Sequence, residues 1–178
     1  MDQINQGKAT SKKGLYIVVG IVVVLLAGYF LRGGSPGVVG GVGGVGGVTI
    51  DQNLDGSATY SNSEGTVTVG GNKLPENWPS DAPTYPNATI QYSGSSDPQT
   101  GEKGSAVVFT TSDNAQKVAD FYKRELSSKG WAIDQTAMMG ASTVLTATKD
   151  TRTLGAYITD TGNGQVSVTI SIGIPDSQ

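Results

Sequence analysis

Asp51-Gln52-Asn53-Leu54-Asp55-Gly56 has the spacing of the first half of a calcium loop. Oxygen-bearing side chains stand at alternate positions (Asp51, Asn53, Asp55), and a glycine follows where the loop must turn. The twelfth position is Asn62 rather than a bidentate glutamate, and β-prone rather than helical runs flank it. Asx residues in turns between strands produce the same pattern, so calcium is the weaker reading and no resident metal is expected. Two acidic pairs, Asp120 with Glu125 and Asp150 with Asp160, are the remaining candidates for acid–base work. A glycan hydrolase would need its two carboxyls converging in a cleft at roughly 5–9.5 Å, and no pattern here sets them in one.

The chain contains no histidine and no cysteine. That removes the usual general base, the commonest metal ligand, every Ser-His or Cys-His nucleophile pair and the ordinary structural zinc sites. Ser127-Ser128-Lys129 falls at a helix end, where a lysine suits the dipole better than a nucleophile dyad. The glycines lie in a tether or in β-turns rather than opening a helix after a parallel strand, so phosphate and dinucleotide cradles are excluded. The expectation is a protein without catalytic residues or cofactor.

The elements that would position any site begin with Leu15 to Leu31, LYIVVGIVVVLLAGYFL, seventeen residues without a charge. A helix of this length rises about 26 Å at ~1.5 Å per residue, just enough for a ~30 Å hydrocarbon core. A cleavable signal has a shorter apolar core followed by a small-x-small site, which is missing here. Leu26-Ala27-Gly28-Tyr29 has the form of a lipobox, but Tyr29 stands where the acylated cysteine must be. An uncleaved anchor is the expectation. Lys8, Lys12 and Lys13 precede the run and only Arg32 follows it closely, so the positive-inside bias keeps the N-terminus cytoplasmic. Residues 33–178 would then lie outside the plasma membrane.

Of twelve Lys and Arg, four precede residue 33; of fifteen Asp and Glu, one does, leaving eight cations against fourteen acids and a net −6 outside. An acidic exterior without a basic cluster argues against nucleic acid and anionic lipid as partners. The chain divides into a cytoplasmic tail (1–14), an anchor (15–32), a Gly/Val-rich linker (33–47), a short β-hairpin region (48–73) and an extracytoplasmic domain (74–178). The linker, GGSPGVVGGVGGVGG, is glycine-dominated and flexible. Val48–Asp51, Ser57–Tyr60 and Thr66–Val69 are short β-prone runs separated by turn dipeptides. Whether they join the main sheet is open at this level.

Four prolines in LPENWPSDAPTYP (74–86) dictate an extended strap, pinned by Leu74, Trp78 and Tyr85. Ala88–Ser93 and Ser105–Thr111 read as strands. Ser112–Lys129 reads as a helix with a capping box at Asp113 and Gln116, a buried stripe of Ala115, Val118, Ala119, Tyr122 and Leu126, and a C-terminal stop at Gly130. Four strands follow: Trp131–Gln135, Thr143–Thr148, Thr153–Thr159 and Gln165–Ile174. In the last, Val166, Val168, Ile170, Ile172 and Ile174 alternate with polar or small residues. The predicted fold is α+β: a mostly antiparallel sheet, β-β-α-β-β-β-β, covered on its apolar face by one helix.

The strap LPENWPSDAPTYPNA and the helix VVFTTSDNAQKVADFYKRELSSKGW resemble a small extracytoplasmic domain of bacterial lipoproteins and single-pass membrane proteins. The shared features are the proline-rich lead-in and a helix reading FY-x-x-x-L-x-x-x-G-W. The resemblance spans about residues 74–174, implies a bacterial membrane-attached domain, and carries over no catalytic residue.

These readings converge on a membrane-anchored domain that binds, scaffolds or assembles in a bacterial envelope, with a protein or envelope polymer as partner. A surface-filament subunit and a carboxylate-dependent envelope hydrolase are the alternatives. The expected contact surface is the sheet face opposite the helix, where Thr146, Thr148, Thr159, Ser167, Thr169 and Ser171 would lie.

Overall fold

The computed structural model describes residues 49–62, 65–96 and 103–174. The tail, the anchor between Leu15 and Leu31, and the Gly/Val linker lie outside the described residues. In chain order the elements are β1 (Thr49–Gln52), β2 (Ala58–Asn62), β3 (Gly65–Val69), β4 (Thr89–Ser96), β5 (Lys103–Thr111), α1 (Ala115–Ser128), β6 (Ala132–Met139), β7 (Ser142–Lys149), β8 (Arg152–Asp160) and β9 (Val166–Ile174).

All nine strands form one sheet in the order β1-β2-β3-β4-β5-β9-β8-β7-β6, and every neighbouring pair is antiparallel. From β4 onward the element order is the predicted β-β-α-β-β-β-β. The β1–β3 meander extends the same sheet through the β3–β4 pairing, so the short N-terminal runs do join it. Helix α1 carries the chain from central β5 to the far edge at β6. The β6–β9 meander then walks back until β9 closes against β5.

The period-two pattern of β9 is realised as read. Val166, Val168, Ile170 and Ile172 are buried in the core with Leu145, Ala147, Leu154, Ala156 and Ile158 from β7 and β8. Val118, Ala119, Tyr122 and Leu126 of α1 close over them, and Ala115 is half-buried at the same stripe. The helix packs against β6, β7 and β8. Tyr85 of the strap stacks on Phe109 of β5 with ring centroids 5.9 Å apart and meets Phe121 edge-on at 4.8 Å, so the strap continues the covering layer. Leu74 does not pin the strap as expected; it is 38% exposed.

The helix starts later than Ser112 because its cap is Asn114, whose side-chain oxygen accepts from the Lys117 amide at 2.8 Å. Asp113, the expected capping residue, is engaged elsewhere: it accepts from the Tyr85 hydroxyl at 2.7 Å and pairs with the Lys117 ammonium at 2.7 Å. Gln116 turns along the helix to Asp120 instead of back to a cap. At the other end Gly130 adopts φ +79°, and the Trp131 amide reaches back to the Leu126 carbonyl at 2.9 Å, closing the last turn.

Leu126 is fully buried between helix and sheet. Leu126→Ala is expected to cost about 2–5 kcal/mol in urea unfolding of the chain, with an unchanged denaturant slope.

Candidate functional site: the helix-free sheet face and the strap groove

Alternation along each strand divides the sheet into a face under α1 and the strap and an opposite face. Among the described residues no helix lies on that opposite face. All six hydroxyl residues expected at a contact surface stand on it: Thr146 and Thr148 on β7, Thr159 on β8, and Ser167, Thr169 and Ser171 on β9. Five are half-buried, and Ser171 is buried at 2% exposure.

Register adds residues that sequence reasoning passed over. One continuous row runs across six strands: Val69, Tyr92, Val108, Thr169, Tyr157 and Val144. The adjacent row is lower: Val67, Gly94, Ala106, Ser171, Gly155 and Thr146. A Cβ built on Gly94 would come within 3.1 Å of the Thr66 carbonyl, so the low step is enforced there by backbone proximity. Tyr157 (49% exposed) and Tyr60 on β2 (39%) present ring surface to solvent. The alternation Thr153, Gly155, Tyr157, Thr159 was visible in the sequence, but which strands flank it was not.

The polarity of the two faces inverts along the sheet. In β6–β9 the apolar residues point to the helix and the Thr/Ser rows away from it. In β2 and β3 the helix side carries Thr59, Ser61, Thr66 and Thr68, joined by hydroxyl contacts of 3.0 Å and 3.3 Å. Their apolar partners, Tyr60, Val67 and Val69, point the other way. Strand β5, in the middle, is buried on both sides, by Val107 and Phe109 beneath the strap and by Ala106 and Val108 opposite.

No described strand residue whose register places it on the helix-free face is Asp, Glu, Lys or Arg. The nearest carboxylate is Asp134, displaced by the bulge between Ile133 and Gln135 at the β6 edge, where it accepts from the Thr148 hydroxyl at 3.1 Å. By contrast, Asp51, Lys103, Lys149, Arg152 and Asp160 all register on the helix-bearing side.

A second concavity runs between strap and helix, a shallow open groove of about 520 Å³ lined by Leu74, Trp78, Pro79, Pro83, Phe121 and Lys129 among others. A clamp fastens the strap at Asp81, between the groove-lining residues Ser80 and Ala82. Arg152 binds Asp81 through both guanidinium nitrogens at 2.8 Å, Lys149 adds a contact at 2.7 Å, and the Trp131 indole donates to the Asp81 carbonyl at 3.1 Å. Arg152 also lies over the Trp131 ring, 5.1 Å from its centroid. The Arg152 hydrogen bonds, reinforced by Lys149, hold the Asp81 carboxyl well below the ordinary range. Burial, with Asp113 beside it, pushes the Tyr85 phenol up to about 12.

The calcium-like run is a closed turn. The Asn53 side-chain nitrogen donates to Ser57 at 2.9 Å, while Asp55 accepts from the Ser57 hydroxyl at 2.6 Å and pairs with Lys73 at 2.6 Å. Asp51 sits apart on β1. Among the described residues no group of three or more His, Cys, Asp or Glu side chains is placed to hold a metal ion. Asp150 and Asp160 lie at opposite ends of β8, roughly 27 Å or more apart at ~3.4 Å per residue. Asp120 pairs with Gln116 and Glu125 with Arg124 on the outside of α1. The Ser128 hydroxyl donates to the Glu125 carbonyl at 2.8 Å.

An antiparallel sheet gripping one helix on one face, with no helix on the other among the described residues, defines the class of this domain. The chain belongs to the START domain-like family, whose model matches residues 90–178. The match begins inside β4, leaving β1–β3 and the strap upstream of it. Searches of curated proteins and of solved structures return no match.

The clamp yields a pH-dependent prediction. A carboxyl whose folded pKa is depressed contributes stability that is present above the unfolded value, about 3.9, and is lost as pH falls through the folded one. Asp81→Asn should lower stability at neutral pH by about 1–3 kcal/mol and flatten its decline in acid, read from urea midpoints between about pH 6 and pH 3.

Proposed function

We propose that residues 49–174 form the outer domain of a single-pass bacterial envelope protein, which binds or assembles with its partner through the helix-free sheet face. The observation that carries this reading is the composition of that face: its central strands present Tyr, Thr, Ser, Val and Gly, and its one strand carboxylate, Asp134, stands at the β6 edge, on a domain whose exterior is otherwise acidic. A solvated sheet face usually intersperses charges with its hydroxyls. A face with its one carboxylate at the edge and two exposed tyrosines instead has the character of an interface core.

The anchor supplies the location. The uncharged run from Leu15 to Leu31, with Lys8, Lys12 and Lys13 before it, supports a cytoplasmic N-terminus and an outward domain. The resemblance to extracytoplasmic domains of lipoproteins and single-pass membrane proteins points the same way. Among the described residues no helix is long and apolar enough to cross a membrane, and the Leu15–Leu31 run lies outside them.

Two measurements on intact cells test the reading. Protease added from outside is expected to digest residues 33–178 and spare the N-terminal tail; full protection would refute the orientation. The chain lacks cysteine, so single thiols report their own surroundings. Thr146→Cys and Thr159→Cys should react with a maleimide at least about fivefold more slowly in the envelope than in purified protein, while Ser127→Cys on the helix should react equally in both. Equal rates at all three positions would rule out an occupied face.

A further inference from the structure

We propose that Asn163, in the turn between β8 and β9, is a self-modifying site whose carboxamide converts to aspartate and isoaspartate in the folded chain, with water as co-reactant. The Gly164 amide nitrogen gives up its proton to hydroxide and attacks Asn163 Cγ. A new C–N bond forms, giving a tetrahedral intermediate with its charge on Oδ1. The Cγ–Nδ2 bond then breaks, ammonia leaves with a proton taken from water, and a cyclic imide remains. Water opens the imide at either carbonyl. One opening yields aspartate; the other routes the backbone through the side chain as isoaspartate. One ammonia is lost and one water consumed, and no oxidant or reductant takes part.

The turn is built in a way that favours each step. Ring closure brings the backbone of the following residue against the carboxamide, where a Cβ would crowd it, and Asn163-Gly164 is the chain's only Asn-Gly pair. Both residues are exposed, and a Cβ built on Gly164 would meet nothing within 4 Å, so hydroxide and water have free approach. Nucleophile and leaving group are untied: among the described residues neither the Gly164 N–H nor Asn163 Nδ2 makes a hydrogen bond. Oδ1, by contrast, is held. It accepts from the Gln165 N–H at 3.2 Å and from the Thr161 hydroxyl at 2.5 Å, whose single proton is shared with the Gln165 carbonyl at 2.7 Å. These donors face the atom on which the intermediate's charge develops, as those of an oxyanion hole do.

The other candidates lack one requirement or another. Every other asparagine precedes a residue with a side chain. Asp55-Gly56 has the permissive glycine, but Lys73 and Ser57 hold the Asp55 carboxyl well below its usual range, and an ionised carboxylate resists attack at carbon. Conversion at Asn163 adds a carboxylate to a turn where Asp160 already accepts from the Gly162 N–H at 2.8 Å, and takes the net charge of residues 33–178 from −6 to −7. The isoaspartate form also lengthens the backbone of a hairpin that closes with Asp160 opposite Val166. Age is thereby written into the turn as charge and as chain length.

The test incubates the full chain in detergent, in mildly alkaline buffer at physiological temperature, and follows Asn163 by mass spectrometry. Trypsin cuts after Arg152, and the fragment beginning at Thr153 contains Asn163 as its only asparagine. The same fragment incubated on its own supplies the rate for this sequence without the fold. Asn163 should convert at least about threefold faster in the folded chain than in the fragment, giving both isomers, because the donors to Oδ1 are fixed only in the turn. Thr161→Val, at an exposed position, should slow conversion in the folded chain at least about twofold and leave the fragment's rate unchanged. Asn163→Gln, whose ring would need an extra atom, should remove the mass shift.

A folded chain that converts no faster than its fragment overturns the proposal, since the turn then only restrains the carboxamide. So does a Thr161→Val variant that converts as fast as the unmodified chain with its circular dichroism intact. The comparison of folded chain with fragment uses no variant, and it decides the question even where Thr161→Val fails to fold.

Discussion

One helix cannot cover nine strands, and most of the architecture follows from that mismatch. A helix about 10 Å across shields two or three strands spaced ~4.8 Å apart, whereas nine strands span roughly 38 Å. Helix α1 spends its stripe of Val118, Ala119, Tyr122 and Leu126 on β6, β7 and β8. With neither disulfide nor described metal site, the domain is held by this burial and what extends it. The strap is the extension. It brings Tyr85 onto Phe109 of β5 and sets Trp78 beside the core, covering the strands beyond the helix's reach.

The strap is not extended throughout as read: it folds through two turns, Trp78 N–H to the Pro75 carbonyl and Ala82 N–H to the Pro79 carbonyl, each 3.0 Å, and side chains fasten it to the domain. Two fastenings hold its C-terminal half. Asp81 is gripped by Arg152 and Lys149 beside the β7–β8 turn, while Tyr85 donates to Asp113 just before the helix. The second explains a local anomaly: the carboxylate that looks like a helix cap serves the strap, and Asn114 caps instead. Strap and helix are thereby tied just before the helix, at Asp113, and just after it, at Trp131.

Local signals made much of this legible. The β9 alternation, the helix stripe and the Gly130 stop each follow from residues within a turn or a strand of one another, and each has its predicted place. What could not be read depends on contacts remote in sequence. Asp81 and Arg152 are 71 residues apart, and nothing near either marks the pairing. The β3–β4 join spans the whole strap, so the meander's membership of the sheet was undecidable from its own pattern. The Thr/Ser set on β7–β9 was identifiable from alternation alone. The row that gives it meaning, from Val69 through Tyr92 and Val108 to Tyr157, requires knowing that β9 lies between β5 and β8.

The polarity inversion is where these constraints meet function. Beyond the strap no second layer remains among the described residues, so β2 and β3 set half-buried Thr59, Ser61, Thr66 and Thr68 on the helix side and turn Tyr60, Val67 and Val69 to the other. An apolar set facing away from the core gains nothing for the isolated domain by burial under the helix. Yet it is continuous, through Tyr92 and Val108, with hydroxyl rows from which charge is absent. Two halves of the sheet that obey opposite alternation thus share one face whose only described strand carboxylate is Asp134, at the β6 edge on the Thr148 hydroxyl.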